Sequence, residues 1–216
     1  MNTKIRVLWA LPCMAAFLVM ATPAHAVSIS GTAFCNVSTT VAGNSPTLAT
    51  LAAGEATGTE CATFSASGIN FSGDAHYTLN GFLTDNGSAS GITFLNSFTG
   101  ASSPDNSLWV FTGTASFTNG QSFNVTHDDG TNMYVNGVLV LGDPGPTAPV
   151  VSTFTYTGAT GTFPFEFIYT ECCGGSMDYA TTLVPPSPAV PEPGSLALLG
   201  TGLLGLYGIA RRRIGF

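Results

Sequence analysis

The chain reads as all-β: a single β-sandwich or jelly-roll-like domain set between two apolar terminal segments. Three observations carry that reading. Short runs rich in β-branched and aromatic residues recur from Thr63 onward, with Gly, Asn and Asp turns between them. Between the terminal segments no stretch of useful length has apolar residues at helical period. Phe163, Phe165, Phe167 and Tyr169 alternate along F-P-F-E-F-I-Y and offer one aromatic face to a core. Many short strands joined by turn residues pack as sandwiches or jelly rolls.

Taken in order, Val27 to Cys35 predicts a first strand. Asn36 to Gly58 is rich in Thr, Ala and Gly with little periodicity, and predicts a long loop or weakly ordered strands. Tyr77 to Leu83, Ile92 to Phe98, Leu108 to Phe117 and Ser122 to His127 each predict a strand. Trp109 falls in the third of these and is most simply a core residue. A three-stranded meander follows. Phe123, Val125 and His127 alternate, and Asp128-Asp129-Gly130 turns the chain. Met133 and Val135 alternate next, and Asn136-Gly137 makes a two-residue hairpin into Val138 to Leu141. On that pattern His127 shares the core or rim face with Phe123 and Val125. Asp143 to Pro149 is a proline-rich connection, and Phe154 and Tyr156 begin the next strand. Pro164 lacks an N–H and predicts an edge strand or a strand start. Glu166 points away from the phenylalanines, which predicts a solvated carboxylate. Tyr179 to Val184 closes the domain.

The termini read differently. Lys4 and Arg6 precede an apolar stretch from Val7 to Met20, and Ala24-His25-Ala26 supplies the small residues a signal peptidase reads, so residues 1–26 predict a secretory signal peptide. Residues 27–184 remain for the domain. Residues 185–193 hold the proline-rich spacer that ends in Pro191, Glu192 and Pro193, and prolines at that density keep a chain stiff and extended. Residues 194–210 are uncharged and apolar. As a helix they reach roughly 25 Å at ~1.5 Å per residue, the short end for a bilayer core of about 30 Å. Arg211, Arg212 and Arg213 in the tail, residues 211–216, would hold that end in the cytoplasm.

Charge narrows the function. All 5 basic residues lie in the terminal segments, while all but one of the 12 carboxylates precede Glu192. A domain without Lys or Arg cannot neutralise phosphates, which excludes nucleic acid and disfavours phosphorylated substrates. Neutral glycans and divalent cations stay compatible. No G-x-S-x-G or H-E-x-x-H motif occurs, and no pair of carboxylates is singled out by spacing as acid and base, so the chain reads as non-enzymatic.

Outside the signal peptide the cysteines are Cys35, Cys61, Cys172 and Cys173. In an oxidising compartment they predict two disulfides with three possible connectivities. A staple from Cys35 to Cys61 would close the intervening loop. Crossed bridges, each joining one of Cys35 and Cys61 to one of Cys172 and Cys173, avoid a bond between neighbours and are the pairing expected here.

Two resemblances add to these readings. The order Pro191-Glu192-Pro193, short apolar run, arginine cluster resembles the bacterial PEP-CTERM sorting signal. It implies export, transient membrane anchoring and processing by an exosortase-type membrane protease, at the surface of bacteria that make exopolysaccharide. Residues 107–184, centred on D-D-G, Y-V-N-G and the later aromatic strand, resemble the protective-antigen-type lectin domain shared with GLEYA-type adhesins. That likeness implies that Asp128 and Asp129 coordinate a calcium ion which also grips glycan hydroxyls, with further oxygens from a later loop. No asparagine follows Asn136, so the oxygens near Cys172-Cys173 are those of Glu171, Ser176 and Asp178. As plain turn residues, the two aspartates need no metal. The resulting expectation is an exported, surface-sorted, non-enzymatic protein of the envelope or exopolysaccharide matrix. The alternatives are a calcium-dependent glycan-binding adhesin and a structural spacer.

Overall fold

The computed structural model describes residues 28–43, 46–71, 77–84, 89–174 and 177–183, all within one compact unit, Ala26–Ala189. The expected signal peptide, the Pro191-Glu192-Pro193 spacer, the apolar run and Arg211 to Arg213 lie outside the described residues. Among those described, no helix is long and apolar enough to cross a membrane.

Among the described residues, eleven strands and three short helices follow one another: β1 (Ile29–Cys35), α1 (Thr39–Ala42), α2 (Leu48–Thr57), β2 (Thr59–Ala66), β3 (Asn70–Phe71), α3 (Leu79–Thr84), β4 (Ala89–Phe94), β5 (Ser107–Phe117), β6 (Ser122–Asp128), β7 (Thr131–Val135), β8 (Val138–Asp143), β9 (Val150–Thr155), β10 (Gly161–Glu171) and β11 (Asp178–Thr181). They form a seven-stranded sheet, β4-β2-β1-β5-β10-β7-β8, and a four-stranded sheet, β3-β11-β6-β9. The paired strands run antiparallel, with the longest ladder between β10 and β5, from Gly161↔Phe117 to Glu171↔Ser107. This is the all-β sandwich the alternation predicts.

The core lies between the sheets and is aromatic. Phe64, Phe71, Phe82, Trp109, Phe111, Phe167, Tyr169 and Tyr179 are all buried. Tyr169 from the large sheet stacks on Tyr179 from the small one at 4.5 Å between ring centroids, a geometry aromatic pairs favour beyond simple burial. Trp109 is a core residue, and its indole N–H donates to Ser107 Oγ at 2.6 Å. His127 is also buried, on the face of Phe123 and Val125 that the alternation assigns to it.

Several local expectations fail, among them the strand expected to begin at Phe154 and Tyr156, which is β9 and ends at Thr155. Asn36 to Gly58 is helical over α1 and α2, with Ser38 and Thr47 capping the helix starts through their hydroxyls. These helices cover the outer face of the large sheet, where Val37, Ala42, Leu51, Leu108 and Ile168 pack together. Only Leu51 and Gly54 of α2 are buried, so no apolar stripe announces the helix. Leu79 to Thr84 is α3 rather than a strand. Its buried Leu79, Phe82 and Leu83 have helical spacing, too short in extent to register as a period.

The three-stranded meander is divided between sheets. β7 and β8 pair through the Asn136-Gly137 turn, whereas β6 pairs with β9 and β11. The chain changes sheet across Asp128-Asp129-Gly130, and the Asp128–Asp129 peptide bond is cis. Strand alternation cannot reveal this change, because a hairpin and a crossover bury the same face on each strand. The proline-rich connection after β8 packs directly on the crossover: a Cβ on Gly130 would meet the Gly145 nitrogen at 2.6 Å. Pro164, finally, lies in an interior strand. β10 pairs with β7 only from Phe165↔Val135 onward, and the Asn136 N–H donates to the Pro164 carbonyl at 2.9 Å as the chain turns away. The missing N–H therefore faces the hairpin turn and costs no ladder bond.

Candidate carboxylate site at the sheet crossover

The two aspartates end β6 and enter the crossover, where the tertiary structure gives each a different environment. Asp129 is 4% exposed. Its Oδ1 accepts the Thr147 N–H at 2.8 Å and its Oδ2 accepts the Cys172 N–H at 2.8 Å. One carboxylate thus clamps the proline-rich connection on one side and the Cys172-Cys173 loop on the other. Each oxygen keeps a further lone pair. The Asp129 carbonyl accepts from His127 Nδ1 at 2.5 Å, while His127 Nε2 lies 3.3 Å from Asp143 Oδ2 and 3.1 Å from Ser152 Oγ. The Ser152 hydroxyl in turn donates to Asp143.

Asp128 pairs in register with Asp178 of β11. Burial first, then Asp129 and Asp178, push its carboxyl up to about 6, against a smaller downward pull from His127. Glu171 is 2% exposed. Burial pushes it up to about 9, with Asp129, Asp128 and Asp105 adding to the rise and the Tyr169 hydroxyl opposing it. The Tyr169 hydroxyl donates to the Asp128 carbonyl and lies 2.9 Å from Glu171 Oε2. A protonated Glu171 satisfies both contacts by donating to the phenol oxygen.

Crowded carboxyls without a neighbouring cation hold protons, or a metal ion. A cavity of about 490 Å³ opens at the crossover, lined by Asp128, Asp129, Thr147, Glu171, Cys172 and Cys173 among others. Among the described residues, no three or more His, Cys, Asp or Glu side chains group as a metal cluster. Calcium takes six to eight hard oxygens, including backbone carbonyls, water and ligand hydroxyls. Two adjacent carboxylates with spare lone pairs on an open cavity fit such an ion as its charged anchor, with neutral oxygens making up the rest.

Of the residues singled out from sequence, Asp128, Asp129, Glu171, Cys172 and Cys173 meet here, and Asp178 pairs beside them; Ser176 lies outside the described residues. Cys35 and Cys61 are not among the residues that line the cavity. The crossed pairing is wrong: Cys35 bonds Cys61, and Cys172 bonds Cys173. The ladder explains why. β1 and β2 pair across Ala33↔Ala62 and Phe34↔Glu60, which brings Cys35 and Cys61 within 5.7 Å between Cα atoms. Their mutual burial in the core leaves only neighbours for the second bridge. The Thr147 and Cys172 amides that hold Asp129 carried no signal in the sequence, since a backbone donor has no residue type. Glu166 also departs from expectation. It is half-buried, burial and Glu55 raise its carboxyl, and its Oε1 is sealed from solvent with no hydrogen-bond partner.

Among solved structures the chain is similar to the PA14 sugar-binding domain from an RTX adhesin, at 24% identity and TM-score 0.49, over 72% of this chain and 88% of that one. It is also similar to the PA14 domain of the antifreeze protein MpAFP, at 16% identity and TM-score 0.49, over 74% and 84%. The GH31 alpha-xylosidase from Xanthomonas citri matches at 12% identity and TM-score 0.38, over 75% of this chain and 14% of that one. No curated protein matches this chain. At the other end of the sequence the assignment is direct: residues 189–213 match the PEP-CTERM protein-sorting motif, so this is a chain marked for export, C-terminal membrane anchoring and exosortase processing.

Proposed function

We propose that this exported, surface-sorted protein binds extracellular glycan through a calcium ion held by Asp128 and Asp129. The observation that carries the reading is the pair itself. Two adjacent carboxylates sit on an open cavity of about 490 Å³, one of them fixed by the Thr147 and Cys172 amides. No Lys or Arg lies between Arg6 and Arg211 to neutralise them. Bound calcium would supply the positive charge and the open coordination positions that sugar hydroxyls fill. The chain's own residues orient it: Asp129 joins the two loops that wall the cavity, and Asp128 contributes the second carboxylate. Binding rather than catalysis is favoured, because the strongest candidate acid, Glu171, is only 2% exposed and is tied to the Tyr169 hydroxyl.

The test is calcium titration by calorimetry on the full-length chain, followed by glycan-array binding in calcium and in chelator. The expected result is one calcium site, lost in Asp128→Asn, with glycan binding that chelator removes. Asp128→Asn is preferred to Asp129→Asn, which also breaks the loop clamp. A protein that takes no calcium, or that binds glycans equally in chelator, contradicts the reading.

A further inference from the structure

A second cavity, of about 420 Å³, lies on the outer face of the seven-stranded sheet. It is a trough between Leu48, at the start of α2, and the Asn136-Gly137 turn, with Thr112 of β5 and Pro164 to Glu166 of β10 on its floor. Its volume is within the ~300–1,000 Å³ of ordinary small-molecule sites. Glu166 is its only ionisable carboxyl, and the Oε1 of that group is shut away from water without a hydrogen-bond partner. Burial and the neighbouring Glu55 both raise Glu166 above its ordinary range. A carboxyl oxygen in this state calls for a cation or a donor. With no Lys or Arg from residue 7 to residue 210, the domain has no cationic side chain to offer.

We infer that the trough is a second ligand site, one that takes the ammonium-bearing ring of an amino sugar with Glu166 as its counter-charge. A divalent metal is a poor fit, because a single carboxyl leaves most of its coordination unmet. A bare alkylammonium is also poor, since it leaves the neutral groups of the trough unanswered. Those groups suit a hexosamine. Tyr134 accepts the Leu48 N–H at 3.1 Å and so has its own phenol proton to donate. Thr112 and Asn136 add a hydroxyl and an amide for ring hydroxyls, while Leu48, 46% exposed, and Pro164, also exposed, give apolar surface for the C–H face of a pyranose. This site is independent of the calcium reading. It shares no lining residue with the crossover cavity.

The experiment titrates the full-length chain, in chelator, with a glucosamine trimer and with its N-acetylated counterpart. The free-amine trimer is expected to bind, and acetylation to weaken it about tenfold to a hundredfold, the usual worth of a charged hydrogen bond. Glu166→Gln should erase that preference without altering calcium uptake. Leu48→Lys, at an exposed position, should block the trough with a tethered ammonium, and it covers the case in which the Gln variant fails to fold. Asp128→Asn should leave amine binding unchanged, so that the two sites fail separately. Equal binding of the two trimers, no binding of either, a lysine peptide bound as tightly as the glucosamine trimer, or a preference that survives Glu166→Gln would overturn the inference.

Discussion

The two disulfides of this domain do opposite work. Cys35–Cys61 joins two paired strands deep in the core, with both cysteines at most 1% exposed, and closes a loop with a sequence separation of 26. Cys172–Cys173 joins neighbours, with a separation of 1, on the rim of the crossover cavity. A cross-link stabilises mainly by shortening the excursions of the unfolded chain, and a bond between adjacent residues shortens almost nothing. The first is therefore a staple of the fold. The second stiffens the loop whose Cys172 N–H holds Asp129. The contrast teaches that the same oxidised pair can serve stability or a site, depending on what its backbone touches.

At fixed pH the largest effect should come from breaking the staple. Replacing Cys35 and Cys61 together by Ala is expected to lower stability by about 3.5 kcal/mol from loop entropy alone. For a domain of this size that is roughly 7–14 °C in melting temperature. The double replacement of Cys172 and Cys173 by Ala should shift melting by only about 1–2 °C. A vicinal variant as unstable as the staple variant would break the comparison.

Calcium sharpens it next. At a hundredfold excess over the dissociation constant, an ion bound only by the folded state stabilises by about 2.7 kcal/mol, or roughly 5–10 °C. The Cys35/Cys61 variant should retain that rise from its lower baseline. The vicinal variant should need about tenfold more calcium to reach it, since its Cys172 amide is less well fixed. Differential scanning calorimetry in calcium, magnesium and chelator reads both, and magnesium should substitute poorly.

A separate effect follows from pH. Asp128 rises from an ordinary 3.8 to about 6 and Glu171 from 4.5 to about 9 on folding. The folded protein therefore holds more protons than the unfolded chain across that window. Its stability in chelator should be highest at the acid end and fall as pH rises through 6 and then toward 9. Calcium favours the ionised carboxylates and should flatten the slope, while the staple contributes nothing to it. Melting curves from pH 4.5 to 9, with and without calcium, test the sign.

The smallest effect on the fold concerns the sorting segment. Glu192→Ala should leave melting and calcium binding unchanged, yet block release from the membrane. Appearance of the variant in the extracellular fraction at normal size and rate would contradict processing at Pro191-Glu192-Pro193.

Much of this was legible in the chain. Runs of strand-forming residues pointed to β1 and β5, and Asn-Gly turn chemistry to the Asn136-Gly137 hairpin. Period-two alternation pointed to β6 and β10, because a strand between two layers must place every second residue in the core. The absence of Lys and Arg between the termini determined the electrostatics, and the three-part tail determined the sorting address. Asp128 and Asp129 stood out as adjacent carboxylates before a glycine. Tertiary structure decided the rest, for identifiable reasons. α2 buries only Leu51 and Gly54, so its helical nature lies in packing rather than pattern. The chain changes sheets at Asp128-Asp129, and alternation cannot distinguish that from a turn. Which cysteines bond was set by the register of β1 on β2. What fixes Asp129 is a pair of backbone amides on two loops distant in sequence, and an N–H common to nearly every residue leaves no mark until the fold brings it within 2.8 Å.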